Sequence, residues 1–592
     1  MTSTPYLDGP APAEPPANFR PAGELPLEVV PLGGLGEIGL NCMALSYDQD
    51  VVVVDAGLMF PEAGQPGVEL IIPDFSYLIS RRDQIRGVVL THGHEDHIGA
   101  LAYLLKEIDA PVFGTRLTLA LAKERLDECQ IADPRLVEIK AGQTLALGQF
   151  QLEFIAVDHS ILDGVALAAT TPAATLVHTG DCKIDLGAPE GERTDLFAFA
   201  RYGAAGVTCL MSDSTNADVP GTGLTEAEVG LTLTDIFREA EGRVVLACFA
   251  SSLSRLRQAA RAAKASGRKL LFDGRSMIGN VALARELGYL ELSADDMVDA
   301  QQAQALDDRQ VAAVVTGSQG EPLSALARMA NGEHKHITVQ PGDTIIFSAR
   351  VIPGNERAIA NLVNLFHGLG AKVVDNRYRR VHASGHGQAE ELKLLLSLAR
   401  PRWFAPIHGE PRQLAAHAEL AKSLGMAADH VKILTNGRRL SLWPDGRAEL
   451  GPLERTGRLL VDGNRLGRYE DPVIRRRLRL AESGLVYVVA VLDSETLAPL
   501  APLRVNIHGV LYEDEPDLTL EAALTASETL EAWRRSRGPG PASPAELNEL
   551  NEALRRETRT FFRRSINRRP LVWPEIVLAG QPAATEDAEP KA

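Results

Sequence analysis

Thr91–Ala100 reads THGHEDHIGA and places His92, His94, Asp96 and His97 within six positions. Imidazole and carboxylate groups at this density suit a pair of divalent metal ions, zinc above all. A His-rich loop that arises by chance or decorates the surface is the alternative. The order HxHxDH directly after an apolar strand favours metal binding. The zincin motif HExxH is absent from this stretch, because an Asp-His pair directly follows His-Glu.

The residues around this stretch predict how the ligands are presented. Gly87–Thr91 (GVVLT) is apolar and short, as in a buried strand, and residues 98 to about 108 carry apolar positions at helical spacing. We therefore expect the ligands on a loop between a strand and a helix, where one rigid base can aim several side chains inward.

Composition limits the classes of protein that fit. A chain of 592 residues with 45% apolar content predicts about two to four globular domains. Its apolar runs are too short to span a membrane, and its first residues lack the basic start and apolar core of a secretory signal. Five scattered cysteines favour a reducing cytoplasm over a disulfide framework. The net charge of −17 argues against a broad basic footprint, so any nucleic-acid site must be local.

The N-terminal region offers a motif with two interpretations. Residues 1–26 are rich in Pro and Ala, which predicts disorder. Gly34, Gly36 and Gly39 then spell GxGxxG, the pattern of a dinucleotide-binding turn. That turn must open a helix, whereas here the glycines lead into another apolar, strand-like run. We therefore predict a glycine-rich hairpin near the metal site.

Further candidate ligands follow apolar strands. Asp55 follows Val51–Val54, and a carboxylate at a strand tip can support a metal-bound His. His159 follows the apolar run FQLEFIAV, and Asp181 follows a predicted strand at Thr175–Thr179. His178, inside that strand, is interpreted as an ordinary packed side chain.

After residue 215 the pattern changes. Strands and helices alternate through GRVVLACFASSLSRLRQAARAAKASGRKLLFDG, QVAAVVTGSQGEP and DTIIFSARVIPGNERAIANLVNLFHGLGAKVV. This alternation predicts a second, parallel sheet that is covered on both faces and inserted into the first domain. His408, after the apolar run Trp403–Ile407, is the candidate for a last metal ligand.

These features resemble a known fold and family. The HxHxDH loop is the signature of the metallo-β-lactamase fold, and SDSTNA, GRSM, TGSQGEP, VIPGNE, SGHG and PIHGE closely resemble the β-CASP nucleases of the ribonuclease J family. The resemblance implies an α/β fold: a metallo-β-lactamase αββα sandwich, interrupted by an inserted β-CASP α/β domain and followed by a small C-terminal α/β domain. The expected boundaries are 1–26 disordered, 27–215 and 379–455 metallo-β-lactamase, 216–378 β-CASP, 456–475 linker, 476–580 C-terminal dimerisation domain and 581–592 disordered.

The resemblance also assigns the metal ligands and implies two divalent ions per chain, zinc first and manganese as the alternative. One ion takes His92, His94 and His159, and the other takes Asp96, His97 and His408. Asp181 bridges the two ions, and Asp55 supports a ligand from behind. Two such ions, about 3.5–4 Å apart, can activate water and polarise a phosphoryl oxygen.

Other family positions imply roles in catalysis and RNA binding. His386 in SGHG matches a general acid, and Asp213 in SDSTNA its carboxylate partner; the alternatives are that His386 only binds phosphate or braces its loop. Glycine loops can bind anions, although tight turns alone are the alternative. The candidates for phosphate or RNA contact are Ser318, Gln319, Ser384, Gly385, His386 and Arg275. Ser252, Ser254 and Gln388 depart from the family pattern, so no RNA contact is carried over to them.

The implied activity is 5′→3′ exonuclease and endonuclease action on single-stranded RNA, with a preference for 5′-monophosphate ends, in RNA maturation and mRNA decay. A cytoplasmic homodimer or homotetramer, other RNA-decay proteins as partners and no membrane association are also expected. A DNA nuclease of the same group, a small-molecule hydrolase and a metal-free scaffold are the alternatives. The arginine run in the basic stretch after Thr456 (RTGRLLVDGNRLGRYEDPVIRRRLRL) is either a solvated face or an RNA contact.

Overall fold

The computed structural model describes residues 25–61, 64–189, 192–352, 354–463, 465–468, 472–510 and 516–580. The termini predicted to be disordered lie outside these ranges, apart from Leu25 and Pro26. The chain divides into two compact units, Met1–Met59 with Ile71–Arg458 and Phe60–Leu70 with Leu459–Ala592. No helix among the described residues has the length and apolar character that a membrane crossing requires.

Two facing sheets form the base of the first unit. In spatial order, the first contains Ala448–Leu453, Arg438–Leu442, Leu27–Gly33, Cys42–Tyr47, Asp50–Val54, Ile85–Val89, Val112–Gly114 and Leu136–Glu138. The second contains Trp403–Ile407, Cys209–Asp213, Thr175–His178, Val165–Thr170, Phe150–Ala156 and Thr144–Leu147. Buried side chains such as Leu45, Val52, Phe154 and Leu167 interdigitate between them in one core.

Helices accompany these sheets as the predicted αββα sandwich requires. Leu196–Ala205, Ala389–Ala399 and Pro411–Ser423 cover the outer face of the second sheet, where Phe199, Leu395 and Ala421 pack. The remaining helices and the short strand of this part are Ser76–Ile79, Glu95–Ile98, Leu101–Leu105, Arg116–Glu128 and strand Leu70–Pro73.

The inserted domain has the parallel sheet that the sequence predicts. Its order is Lys269–Asp273, Val311–Val315, Val244–Ala247, Thr344–Phe347 and Lys372–Val374, and neighbouring strands are parallel. One face packs under helices Glu226–Glu239, Leu253–Ala265 and Arg275–Glu286. The other face packs under Ala300–Ala305, Ala325–Ala330 and Glu356–Gly368. The two strands Val244–Ala247 and Val311–Val315 are apolar along their whole length because both faces of the sheet are covered there, whereas the edge strands each begin with an exposed lysine.

The second unit has a core of its own. Its sheet has the order Arg504–His508, Leu485–Asp493 and Leu571–Ala579, and helices Pro516–Ser536 and Pro544–Ile566 pack on it through residues such as Leu530, Leu554 and Phe562. Helix Pro472–Ser483 precedes the sheet and contains the arginine run.

The prediction of a linker at residues 456–475 is wrong. Arg458–Asp462 and Arg465–Arg468 form an antiparallel hairpin there, and helix Pro472–Ser483 begins inside the range. The basic residues suggested an exposed linker, but Leu460 and Val461 are buried in this strand. In the sequence, the charged residues on both sides mask the strand signal of a segment that has only one apolar pair.

Candidate metal centre and nuclease site

The metal loop begins where a strand of the first sheet ends. Ile85–Val89 lies parallel to Asp50–Val54, so the two strands deliver the Thr91 loop and Asp55 to the same edge. The predicted ligand loop contains a one-turn helix, Glu95–Ile98, which carries Asp96 and His97, and the helix predicted for residues 98 to about 108 is the short Leu101–Leu105. Gly57 passes so close to this loop that an added Cβ would lie 1.6 Å from the Asp96 carbonyl oxygen. The ligand loop is therefore packed directly against backbone.

Four imidazoles face one carboxylate oxygen at the centre of the site. Asp181 Oδ2 lies 3.3 Å from His97 Nε2, 3.5 Å from His408 Nε2, 3.7 Å from His92 Nε2 and 3.8 Å from His159 Nε2. Asp181 is 3% exposed and follows strand Thr175–His178. This strand ends one residue before the predicted end at Thr179. This one oxygen therefore lies at the centre of the four nitrogens.

The remaining two side chains complete two separate groups. His94 Nδ1 lies 3.1 Å from both His92 Nε2 and His159 Nε2. Asp96 Oδ2 lies 3.3 Å from His408 Nε2 and 3.7 Å from His97 Nε2. All seven sequence-predicted ligands therefore meet, and they divide into the two sets that the sequence interpretation named.

Neighbouring groups fix the ring orientations. In four of the histidines, the other ring nitrogen, Nδ1, is already engaged: His92 with Thr91 Oγ1 at 3.1 Å, His97 with Asp55 Oδ2 at 2.8 Å, His159 with the Gly385 carbonyl at 2.6 Å and His408 with Thr215 Oγ1 at 2.7 Å. A proton held at Nδ1 leaves the Nε2 lone pair free for a metal ion. The protein thus aims the Nε2 atoms inward before any ligand arrives.

The two groups differ in their electrostatic surroundings. Burial lowers the pKa of His94 to about 4, and burial likewise holds the pKa of His92 and of His159 well below the ordinary value. For His97 burial lowers the pKa, but Asp181 and the other carboxylates raise it by more, to about 10. His408 behaves like His97, with a pKa well above its ordinary value for the same reason. Burial therefore disfavours a positive charge in the first set, whereas the carboxylates around the second set favour one.

One polar atom of the site has no protein partner. Asp181 Oδ1 is buried and makes no hydrogen bond to any described residue. A buried carboxylate oxygen without a partner is costly, and a cation would remove the cost. Three imidazoles in one set, and two imidazoles with a carboxylate in the other, form a donor set typical of zinc and manganese. The residues therefore fit divalent metal ions.

Beside the metal ligands lies an imidazole–carboxylate pair. His386 Nδ1 is 2.7 Å from Asp213 Oδ2, and Asp213 Oδ1 accepts a hydrogen bond from Thr215 Oγ1 at 2.8 Å. Burial raises the pKa of Asp213, but His386 and then His408 lower it by more, so the carboxyl group is held ionised. His386 is half-buried and stacks on the ring of His408, 5.4 Å away. The arrangement leaves Nε2 of His386 directed away from the carboxylate.

The predicted phosphate-binding residues have different surroundings. Gly385 packs so closely on His159 that an added Cβ would lie 2.7 Å from the ring, and its carbonyl oxygen hydrogen-bonds His159 Nδ1. Ser384 Oγ accepts a hydrogen bond from Asn216 Nδ2 at 2.8 Å. Ser318 and Gln319 are buried, and the Gln319 amide is engaged by the loop after Phe347. Arg275 is exposed at the start of its helix. Their contacts with RNA remain predictions.

Sequence reasoning missed the supporting residues. Thr91, Thr215 and Asn216 hold the rings and loops of the site, and two of them lie inside the SDSTNA motif. The signal was the motif itself, in which only Asp213 was singled out. No sequence spacing predicts where a supporting hydroxyl or amide will lie, so its partner is seen only in the structure.

The glycine-rich hairpin near the site is confirmed: Leu27–Gly33 and Cys42–Tyr47 pair antiparallel around it, and no helix opens there.

The fold and the site together define a metallo-β-lactamase-type hydrolase with an inserted β-CASP domain. Residues 35–205 match the metallo-beta-lactamase superfamily, 241–366 the ribonuclease J beta-CASP domain, 371–434 the Zn-dependent metallo-hydrolase RNA specificity domain and 472–578 the ribonuclease J C-terminal domain.

Whole-chain similarity gives the same result. Ribonuclease J of Mycobacterium tuberculosis is 40% identical over 93% of this chain and 97% of its own length. Ribonuclease J of Synechocystis is 39% identical over 92% of this chain and 86% of its own length, and ribonuclease J 1 of Streptococcus pyogenes is 36% identical over 93% and 97%. The chain belongs to the ribonuclease J family of metal-dependent phosphodiester hydrolases.

A solved structure adds a likeness of fold alone. A protein of unknown function from Enterococcus faecalis aligns with a TM-score of 0.51 and 16% identity, over 70% of this chain and 100% of that one.

Proposed function

We propose that this chain is a ribonuclease that holds two divalent metal ions and degrades single-stranded RNA, both from the 5′ end and internally, with a preference for 5′-monophosphate ends. The observation that carries the proposal is the convergence of four Nε2 atoms on Asp181 Oδ2, beside the His386–Asp213 pair. The similarity to ribonuclease J proteins supports RNA as the substrate, and RNA maturation and mRNA decay are the proposed processes.

The metal ligands would be His92, His94 and His159 for one ion and Asp96, His97 and His408 for the other, with Asp181 shared between them. Zinc is the proposed metal, with manganese as the alternative. Ions bound there supply Lewis-acid chemistry to a phosphodiester and lower the pKa of water. Asp55 holds the His97 ring in place through its 2.8 Å contact with Nδ1.

His386 is the proposed proton donor. Hydrolysis of a phosphodiester releases a 3′ oxygen that needs a proton, and the ring nitrogens of the ligands that face the cluster are committed to metal binding. The Nδ1 atom of His386 is held by Asp213, so Nε2 can carry a proton towards the leaving oxygen. A positioned general acid contributes roughly 10²–10⁴-fold in rate.

The SGHG loop and the loop containing Ser318 are proposed to receive the 5′ phosphate. Ser384 is half-buried and is oriented by Asn216. A pocket that fits one phosphate group leaves no room for a triphosphate. Ser384→Ala should therefore slow decay from the 5′ end more than internal cleavage, measured on linear and circular forms of one RNA. Equal loss on both RNAs would assign Ser384 to the fold or the metal centre.

Assembly and location are also part of the proposal. The C-terminal unit has its own core and contributes none of the seven ligands, which makes it the proposed site of homodimer or homotetramer formation. All five cysteines are unpaired, as expected in the cytoplasm, where other RNA-decay proteins would be partners.

One experiment separates this function from its alternatives. Purified protein is incubated with 5′-monophosphate RNA, DNA of the same sequence and a β-lactam, each with and without a chelator. Cleavage of RNA that the chelator abolishes is the expected result. Preferred cleavage of DNA would make the chain a DNA nuclease, hydrolysis of the lactam alone would make it a small-molecule hydrolase, and no hydrolysis at all would indicate a scaffold.

A further inference from the structure

The carboxyl edge of the inserted sheet carries a guanidinium group that no motif assigned. Arg350 follows strand Thr344–Phe347, which is one neighbour of the central strand Val244–Ala247; the other neighbour, Val311–Val315, leads into the loop of Ser318. Ligands of open parallel sheets bind outside the carboxyl ends of the strands. Arg350 is therefore at an edge where a ligand is expected.

The side chain of Arg350 is tied to the SGHG loop through one buried amide. Arg350 Nη1 donates a hydrogen bond to Asn216 Oδ1. Asn216 is 1% exposed, and its Nδ2 donates to Ser384 Oγ at 2.8 Å and to the His386 carbonyl at 2.9 Å. The guanidinium thus lies one side chain away from both Ser384 and His386.

The backbone of Arg350 is held from the opposite side. Gln319 Nε2 donates to the Arg350 carbonyl at 2.8 Å, and Gln319 Oε1 accepts from the Ile352 backbone N–H at 2.9 Å. The buried Gln319 side chain is therefore occupied as a brace and positions the arginine. Anchors at both ends restrict the side chain to a small volume between the two loops.

The charge of Arg350 is not neutralised by protein. Among the described residues, no carboxylate oxygen lies within 4.0 Å of its guanidinium nitrogens, whereas Arg243 pairs with Asp308 and Arg379 with Glu239 in the same domain. Arg350 is also exposed, and a guanidinium has five N–H donors. On a chain with a net charge of −17, an oriented and unpaired arginine is an open anion-binding group.

We propose that Arg350 reads the charge of the 5′-terminal monophosphate of the RNA. This inference rests on the proposed function and names the residue that distinguishes a 5′ phosphate from a 5′ hydroxyl. A planar guanidinium binds phosphate oxygens through two parallel hydrogen bonds, which a lysine cannot reproduce. A terminal monophosphate carries more negative charge than an internal diester, so the contact favours chain ends.

The test compares holoenzymes on two RNAs that differ only at the 5′ end, a monophosphate or a hydroxyl. The readout is the ratio of the two kcat/KM values. Arg350→Gln should reduce the preference for the monophosphate about 10- to 100-fold, mainly through KM. The ratio for Arg350→Lys should lie between those of the wild type and Arg350→Gln, because lysine keeps the positive charge and loses the two parallel hydrogen bonds. Arg357→Gln removes one charge from an exposed site on the following helix and should leave the ratio as in the wild type.

Each other outcome contradicts a specific statement. An Arg350→Gln ratio equal to the wild-type ratio overturns the inference. Equal losses on both RNAs, at an unchanged melting temperature, would make Arg350 a contact to the internal backbone and also overturn it. A wild-type ratio near one would contradict the 5′-monophosphate preference of the proposed function. This failure is distinguishable from failure of the Arg350 inference, because it is measured on the wild type alone.

Discussion

The nitrogens of His386 are not equivalent, since Nδ1 is held by Asp213 at 2.7 Å and Nε2 is free of that carboxylate. If Nε2 protonates the leaving 3′ oxygen, a substrate that needs no proton should rescue a variant without the ring. His386→Ala should be impaired roughly 10²–10⁴-fold on natural RNA and far less on RNA with a 3′ sulfur leaving atom. Single-turnover rates on the two substrates measure the difference.

A control keeps that result specific. Asp55→Asn alters the support of a metal ligand and not the proton donor, so it should lose activity equally on both substrates. Equal impairment of His386→Ala on the oxygen and sulfur substrates would remove its role as proton donor and leave a binding residue.

The site residues illustrate what sequence can predict. Each of the seven candidate ligands lies after an apolar strand, in one or the other of the two sheets. This pattern marked the candidates, and the resemblance to a known family supplied the full set and its division between two ions. Asn216 and Arg350 could not be found in this way. Their partners, Ser384 and Asn216, lie 168 and 134 positions away, and a single amide or guanidinium carries no periodic signal.

At the level of elements, a buried ionic cluster connects the inserted domain to the metal loops. Glu226 begins helix Glu226–Glu239 and lies 3.4 Å from Lys183 Nζ and 3.3 Å from Arg255 Nη2. Lys183 and Arg255 are 3% and 1% exposed. Burial raises the pKa of Glu226, but Arg255 and Lys183 lower it by more, to about 2. Buried ion pairs, shielded from solvent, therefore fix the first residue of this helix.

Glu226→Gln should destabilise the protein strongly, by about 3–5 kcal/mol, because the buried Arg255 would lose its carboxylate partner, whereas Lys183 keeps Asp158 and Asp185 nearby. The folded-state pKa is depressed, so this stabilisation is present above the unfolded pKa of about 4.3 and is lost as pH falls towards 2. The gap in melting temperature between wild type and variant should therefore be widest near pH 7 and clearly smaller at pH 3.

The same helix offers a matched control. Glu239 pairs with Arg379 at the surface, and Glu239→Gln should change stability by less than about 1 kcal/mol. A melting temperature of Glu226→Gln close to that of Glu239→Gln would contradict a stabilising role for the buried cluster.

For elements, the sequence predicted the strands and helices of the inserted domain because full burial produces long apolar runs. The failures occurred where elements are short. The helix predicted for residues 98 to about 108 is only Leu101–Leu105, a separate one-turn helix ends at Ile98, and the linker predicted at 456–475 contains a hairpin. Elements of four or five residues hold few apolar positions, and periodicity needs more.

At the scale of the whole molecule, the two units should be separable in function. The second unit packs its own core and the first contains all seven candidate ligands. A chain that ends at Thr456 should therefore still fold and bind metal but should be monomeric. Light scattering after size-exclusion chromatography measures the mass, and metal analysis of the same fractions tests the fold of the centre. A truncated chain with the oligomeric mass of the full protein would place the interface in the first unit.

The stoichiometry of metal activation tests the account most directly. Full-length protein is stripped with chelator and titrated with zinc, and in parallel with manganese, while cleavage of 5′-monophosphate RNA is followed. The seven ligands in two sets predict that activity rises from near zero to a plateau at two equivalents per chain, and that Asp181→Ala stays inactive throughout. Full activity of the stripped protein, or a plateau at a single equivalent, would contradict a two-metal centre around Asp181.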